Sequence, residues 1–365
     1  MNIINKILIT GACGVTSRTI ARSLRKSQRF NNTKLIGTDV CYNLFGLYEG
    51  LFDRIYRVPW EHNSLEYKQI MIDICLKEKI DVAIIATELE VLFWTKNSLP
   101  VATLLPPSQF SRNVISKASL YNILKGTNFI PKFAIFDKNS INPKSLELIS
   151  NPPYWMREYS RGSTSGKGSI KINNIDDINA WLMLNPSIDN YMISEFLPGK
   201  NIACLLLYNK GKLVKICCYE RLEYFMAKTT ISGISGNINK GKLINDPAAV
   251  KVSTKAIERI CNHTKEIMTG LVTVDLCGDT DNVYKITEIN IKQVAAASAF
   301  SEINGANISE AYVMAAIGRD DLIGDKEILF PKNNLVLRDI DGYPNLVIDH
   351  KEIKIGMYFD SDRTI

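Results

Sequence analysis

Histidine is scarce. Only His62, His263 and His350 occur, far apart in the chain. That leaves little from which to build a histidine metal cluster or a Ser-His-Asp-type triad. The eight cysteines stand at positions 13, 41, 75, 204, 217, 218, 261 and 277, with no C-x-x-C pair. Such scatter argues against a zinc ribbon or a disulfide framework and fits free thiols in a reducing, cytoplasmic setting. No apolar run approaches the ~18 residues that span a bilayer, so no membrane partner is expected. The opening apolar stretch is short and passes at once into TSRTIARSLRKS. It therefore reads as strand, turn and helix rather than as a leader. A Walker loop, internal repeats and low-complexity tracts are also missing. With 46% hydrophobic and 22% charged residues, long disorder and coiled coils are disfavoured. Lys plus Arg (44) exceeds Asp plus Glu (38) by only six. That mild excess suits phosphate ligands but gives no sign of nucleic acid.

A chain of 365 residues has room for two or three domains. Strands at Lys6–Thr10, Lys34–Val40 and Ile80–Ala86 alternate with helices at Ser17–Arg25 and Ser64–Glu78. That alternation implies a parallel sheet with helices on its faces. After Pro106-Pro107 the pattern changes. A helix capped near Ser116 precedes strands around residues 130–136, 154–159 and 169–172, a helix at Ile175–Leu184, and an extended segment at Tyr191–Phe196. Two hairpins follow, one around Asn209-Lys210-Gly211 and one around the GDTDN turn. The intervening residues 227–245 are polar and read as a mobile loop. Helices are expected at Ala248–Met268 and Ile308–Ile317, and the last ~45 residues read as a small β-rich tail.

Three motifs carry chemistry. Gly11-Ala12-Cys13-Gly14-Val15-Thr16-Ser17 joins a strand to a helix, and Asp39 ends the next strand. A dinucleotide fingerprint would use such glycines at a phosphate and such an acid at a ribose, but its third glycine is Ser17 here. A tight turn with no ligand is the favoured reading. The second motif is Arg157 followed by a Gly/Ser loop at residues 160–169, in which backbone N–H groups and hydroxyls can wrap phosphates. The third is Asp275, Glu288 and Asn290. A hairpin turning near residue 280 can put all three on one face, as hard oxygen ligands for Mg2+ on a polyphosphate. Inward acids among strongly apolar strands would be costly without a cation.

These parts in this order resemble the ATP-grasp superfamily, most closely single-copy relatives of the carbamoyl phosphate synthetase large subunit, over roughly residues 5–318. The resemblance implies an α/β protein with a Rossmann-like pre-ATP-grasp domain (1–112), then a two-subdomain α+β ATP-grasp fold (113–190 with the flap, 191–318 with the metal hairpin) and a small β-rich extension (319–365). ISKASLYNILKGTNFIPKF places Lys117 at a phosphate-contacting cation. PPYWMREYSRGSTSGKGS gives the second cation, Arg157, and a flap with Gly162, Ser163, Ser165, Gly166 and Gly168. ISEFLPGKNIACLLL resembles the hinge, so Glu195, Phe196 and Leu197 would meet adenine and Asn201 the ribose. ERLEYFMAKTTISGISG resembles the loop over the triphosphate, with Arg221 and Lys228 available. Asn201 stands where the family carries a glutamate, and Lys292 where an arginine supports the transferring phosphoryl group.

The resemblance implies an ATP- and Mg2+-dependent ligase, with Mn2+ a possible substitute, joining a small-molecule carboxylate to an amine (or a thiol) through an acyl phosphate. Arg221, Lys228 and Lys292 are the candidates for holding the acid. A nucleotide-binding protein without turnover is the second reading, motivated by Asn201 and Lys292. An NAD(P)-dependent oxidoreductase built on the first turn and Asp39 ranks last. A homodimer is the default oligomer.

Overall fold

The computed structural model describes residues 4–43, 45–138, 146–147, 149–159, 168–339 and 352–360. Among them, no helix is long and apolar enough to cross a membrane. Three sheets organise the chain.

The first sheet begins with β1 (Lys6–Thr10), α1 (Val15–Arg25), β2 (Lys34–Asp39), β3 (Arg54–Arg57), α2 (Ser64–Glu78) and β4 (Val82–Ile84). The four strands pair in parallel in the order β3-β2-β1-β4. Strand β3, in the irregular stretch before α2, has only four residues and no long apolar run to announce it. In β1 the two-residue period splits the core. Ile7 and Ile9 pack with Ile20 and Leu24 of α1, and Leu8 packs with Tyr67 and Met71 of α2.

Glu78 closes α2, where the negative end of the helix disfavours an acid. Three partners compensate: Lys6 Nζ at 2.8 Å from Oε2, and Arg54 Nη1 and Tyr56 Oη each at 2.5 Å from Oε1. Burial pushes the carboxyl up, but these donors outweigh it and hold Glu78 down at about 2, against an ordinary 4.5. A depressed carboxylate stabilises the fold above its unfolded pKa and loses that contribution as pH falls toward the folded value. Glu78→Gln should therefore cost about 2 kcal/mol at pH 7. Urea titrations of both proteins should show the gap narrowing between pH 5 and pH 2; a constant gap would refute the pairing.

After the first sheet come α3 (Glu88–Trp94), α4 (Ser108–Ile115) and α5 (Lys117–Leu124). Ser116 caps α5, its hydroxyl accepting from Ser119 N. The second sheet is antiparallel and small: β5 (Phe133–Asp137), β6 (Tyr154–Glu158), β7 (Ile170–Ile172) and β8 (Asn190–Glu195), in the order β5-β8-β6-β7. With α6 (Ile175–Leu184) it encloses its own core, including Met156, Ile172, Ile178 and Ile193. Because β8 lies between β5 and β6, this sheet runs on to Glu195.

The third sheet holds β9 (Asn201–Asn209), β10 (Lys212–Tyr224), β11 (Ile238–Ile244), β12 (Gly270–Gly278) and β13 (Tyr284–Asn290). Central β9 is buried on both faces. Cys204 and Leu206 share a core with Ala256 and Ile260 of α7 (Pro247–Thr264), and Leu205 and Leu207 share one with Ala311 and Val313 of α8 (Ile308–Ala316). That explains its unbroken apolar run. Two sequence expectations change here. Residues 238–244, expected in a mobile loop, form β11, paired antiparallel with the long β10. The tail forms no separate β-rich unit among the described residues. Instead β14 (Val336–Leu337) adds to β11, and β15 (Tyr358–Asp360) adds antiparallel to β3, so the tail extends two sheets already present.

Candidate functional site

A cleft of about 1380 Å³ is lined by parts of all three sheets and by α5. Its centre is the β12–β13 hairpin. Asp275 and Glu288 are direct cross-strand partners. A simple two-residue alternation would put Ile286 on the same face as Glu288. A register slip at Thr287 prevents this: Ile286 pairs with Leu276 and both are buried in the core, while Glu288 and Asn290 line the cleft beside Asp275. Thr287 Oγ1 donates to Asp275 O at 3.2 Å and fixes the slip.

Each acid meets a cation. Lys117 is the first residue of α5, buried, with Nζ 3.3 Å from Glu288 Oε2. Arg221 Nη2 donates to Asp275 Oδ1 at 2.6 Å. Its Nη1 donates to Asn201 Oδ1 at 2.8 Å, and Asn201 Nδ2 donates to Tyr224 Oη at 2.9 Å. Asn290 Nδ2 lies 3.4 Å from Asp275 Oδ2. Burial pushes the Asp275 carboxyl above its ordinary range against the pull of Arg221. Burial acts the same way on Glu288, but Lys117 and Arg157 outweigh it and hold that carboxyl down. The two acids thus lie in opposite electrostatic settings, one strand apart.

Arg157 is buried on β6. Its Nη2 donates to Tyr121 Oη at 2.7 Å, and Tyr121 Oη in turn donates to Ile286 O at 3.1 Å. Arg157 Nε has no partner among the described residues. A buried guanidinium with no carboxylate partner there is suited to an anion. Tyr121 lies one helical turn after Lys117, on the same face of α5, and that spacing was the available sign of its place here.

Glu195, Phe196, Leu197 and Asn201 also line the cleft. Phe196 lies 6.4 Å from the Trp155 ring, and Lys171 Nζ sits 4.4 Å from the Phe196 centroid. One Glu195 oxygen accepts from Lys132 N at 3.2 Å, and Leu197 O accepts from the Cys277 thiol at 3.3 Å.

Lys292 lines the cleft as well. Lys228 does not: it is exposed on the short turn Ala227–Thr229, and Tyr224, Asn237 and Ile238 of the same segment reach the cleft instead. Gly162, Ser163, Ser165 and Gly166 lie outside the described residues. Gly168 is described, with φ +72° and its carbonyl accepting from Trp181 Nε1, and its neighbour Ser169 lines the cleft. Asp39 is spent on backbone: its carboxylate accepts from Cys13 N at 2.8 Å and Cys41 N at 2.9 Å. Those bonds fix the two turns against each other and turn the carboxylate toward Cys13 and Cys41.

Arg338 also lines the cleft. The β14–β11 pairing brings it there, with Nη1 3.3 Å from Ile238 O and Nη2 3.3 Å from Asn237 Oδ1. No carboxylate pairs with it among the described residues.

No protein-family model matches the sequence, and no curated protein matches it. Solved structures do. N5-carboxyaminoimidazole synthetase from Staphylococcus aureus, complexed with ADP, superposes with a TM-score of 0.61 at 14% identity, covering 92% of this chain and 81% of that one. L-amino acid ligase from Bacillus licheniformis gives 0.59 at 16% identity, covering 87% and 75%. D-alanine–D-alanine ligase from Bacillus anthracis, complexed with ATP, gives 0.53 at 13% identity, covering 88% and 100%. The chain has the ATP-grasp fold. The hairpin acids, Lys117, Arg157 and Phe196 all line the one cleft described above.

Proposed function

We propose that this chain is an ATP- and Mg2+-dependent ligase that joins a small-molecule carboxylate to an amine through an acyl phosphate. On this reading the parallel sheet is the pre-ATP-grasp unit, and the two antiparallel sheets are the subdomains that close on the nucleotide. The observation that carries the proposal is the Asp275–Glu288 pair, aligned across the hairpin and faced by Lys117 and Arg221, with the open guanidinium of Arg157 nearby.

The donor set fits a hard divalent cation: two carboxylates and the Asn290 amide oxygen, now balanced by ammonium and guanidinium groups. When bound there, Mg2+ would neutralise charge on the β- and γ-phosphates. Lys117 and Arg157 would hold the oxygens of the moving phosphoryl group in place. Phe196 and Trp155 would cover the adenine. Asn201 would offer its amide to the ribose in place of a carboxylate. Arg221, joined to both Asn201 and Asp275, would keep the ribose end and the metal end in fixed relation.

The acid needs a cation of its own, and Arg338 and Lys292 line the cleft for that role. An acid oxygen would attack the γ-phosphorus as the bond to the β-phosphate oxygen breaks, giving acyl phosphate and ADP. The amine nitrogen would then displace inorganic phosphate and lose a proton. No protein nucleophile is required, in keeping with the scarcity of histidine.

The test is incubation with Mg-ATP, pooled carboxylates and hydroxylamine. ADP and hydroxamate should appear together, and the hydroxamate mass would name the acid. ATP binding without ADP in every pool would overturn the ligase reading. Once the acid is known, Arg338→Met should raise its KM about 10- to 100-fold with little change in the KM for ATP, as expected for loss of one charge-assisted contact. An unchanged KM would remove Arg338 from the acid site.

A further inference from the structure

On the wall of the cleft formed by the first sheet, the turn after β1 and the turn after β2 bring together a cluster that the ligase chemistry leaves unused. One ligand atom each from Cys13, Asp39 and Cys41 lie within 4.8 Å of one another, all three residues half-buried. We propose that Cys13, Cys41 and Asp39 form a binding site for a borderline-soft divalent cation such as Zn2+, separate from the hard-oxygen site on the β12–β13 hairpin.

The carboxylate is fixed before any ion arrives. Cys13 N and Cys41 N, the amides of the two thiol residues themselves, hold the two Asp39 oxygens from either side. Each oxygen keeps a further lone pair. No ammonium or guanidinium group pairs with Asp39 among the described residues, so a half-buried anion flanked by two thiols has no cationic side chain to balance it.

A tetrahedral zinc with metal–donor distances of about 2.0–2.3 Å sets its donors roughly 3.3–3.8 Å apart, so these three need draw together by no more than about 1.5 Å. Two thiolates select zinc-like ions over Mg2+, which the hairpin's oxygen donors suit. Three protein ligands leave a fourth position. Cys13 and Asp39 line the cleft, so that position is open to water or to a donor atom of a substrate. The location also suits a ligand: it lies at the carboxyl ends of β1 and β2 in a parallel sheet. Binding would release both thiol protons to solvent and so strengthen as pH rises.

The experiment titrates the full-length, metal-stripped and reduced chain with Co2+, after alkylation and mass measurement have shown Cys13 and Cys41 free. One equivalent should produce thiolate-to-cobalt charge transfer and the intense visible bands of a four-coordinate ion, and one equivalent of Zn2+ should abolish them. The spectrum should be lost in Cys41→Ser and in Cys13→Ser, and weakened in Asp39→Asn, with unchanged circular dichroism in the absence of metal. The hairpin donors Asp275, Glu288 and Asn290 offer oxygen alone, and a Cys277→Ser variant that keeps the spectrum separates this site from the one cysteine of that hairpin lining the cleft, so the result is independent of whether the ligase reading holds. Absence of charge transfer in the reduced chain, or its survival in the Cys13→Ser/Cys41→Ser double variant, would overturn the proposal.

Discussion

Glu288→Gln should lower Mg-dependent ADP formation about a thousandfold, the scale of loss when one preorganised electrostatic group is removed from a transition state. Glutamine keeps the shape and a hydrogen-bonding oxygen but not the charge. The charge matters twice. It is one of the two carboxylates available to a divalent cation, and it balances Lys117, 3.3 Å away and buried. Without it Lys117 has one competitor fewer for phosphate oxygens. ATP binding in EDTA should therefore be unchanged or tighter, while the gain in affinity on adding Mg2+ disappears. Loss of the Lys117 contact should cost the fold only about 1 kcal/mol, because Lys117 faces the cleft. Isothermal titration with and without Mg2+, alongside an ADP assay, separates these effects. Full turnover in Glu288→Gln, or weakened binding in EDTA with the Mg2+ response intact, would remove Glu288 from the metal site.

The hairpin was legible in the sequence because its information is local. Two apolar strands flank a polar turn near residue 280, so the sequence could place Asp275, Glu288 and Asn290 on one hairpin. The slip at Thr287 was not legible, since Thr287 occupies a strand position like any other. Yet that slip is what sends Ile286 to the core and Glu288 to the cleft. Lys117 was placed by the resemblance of the segment around it, and Arg157 by the Gly/Ser loop that follows it, again neighbours in the chain. Arg338 depends on a two-residue pairing between segments about a hundred positions apart, Lys240 with Leu337 and Gly241 with Val336, and no periodicity in either segment announces it. Strand β11 was hidden for a related reason. Asn239, Lys240, Gly241 and Lys242 interrupt its apolar residues, and the resulting composition resembles a loop. Lys228 is exposed on the short turn Ala227–Thr229. A loop over the nucleotide was expected from resemblance, and the chain brings Tyr224, Asn237 and Ile238 to the cleft instead of that lysine.

Gly270→Ala should cost roughly 3–5 kcal/mol, enough to leave much of the protein insoluble. Gly270 opens β12 with φ +87°, a conformation that costs an L-residue about 1–2 kcal/mol. The larger effect is steric. A Cβ there would lie 2.4 Å from Pro106 N, 2.6 Å from Leu105 C and 2.7 Å from Pro106 Cδ. These are backbone and ring atoms that cannot turn aside, and they lead directly into α4, which adjoins α5 and β13. Relief would require this linker to move, carrying Lys117 away from Glu288. Gly126→Ala is the control. Gly126 has φ +81° with nothing within 4 Å of its would-be Cβ, so it isolates the conformational cost from the clash. Urea unfolding should show Gly126→Ala down by about 1 kcal/mol and Gly270→Ala by several times that. Where Gly270→Ala does fold, its KM for ATP should rise, which the control's should not. Equal destabilisation of the two variants would mean that the linker yields freely, and that the cleft does not depend on the close contact between β12 and Leu105-Pro106.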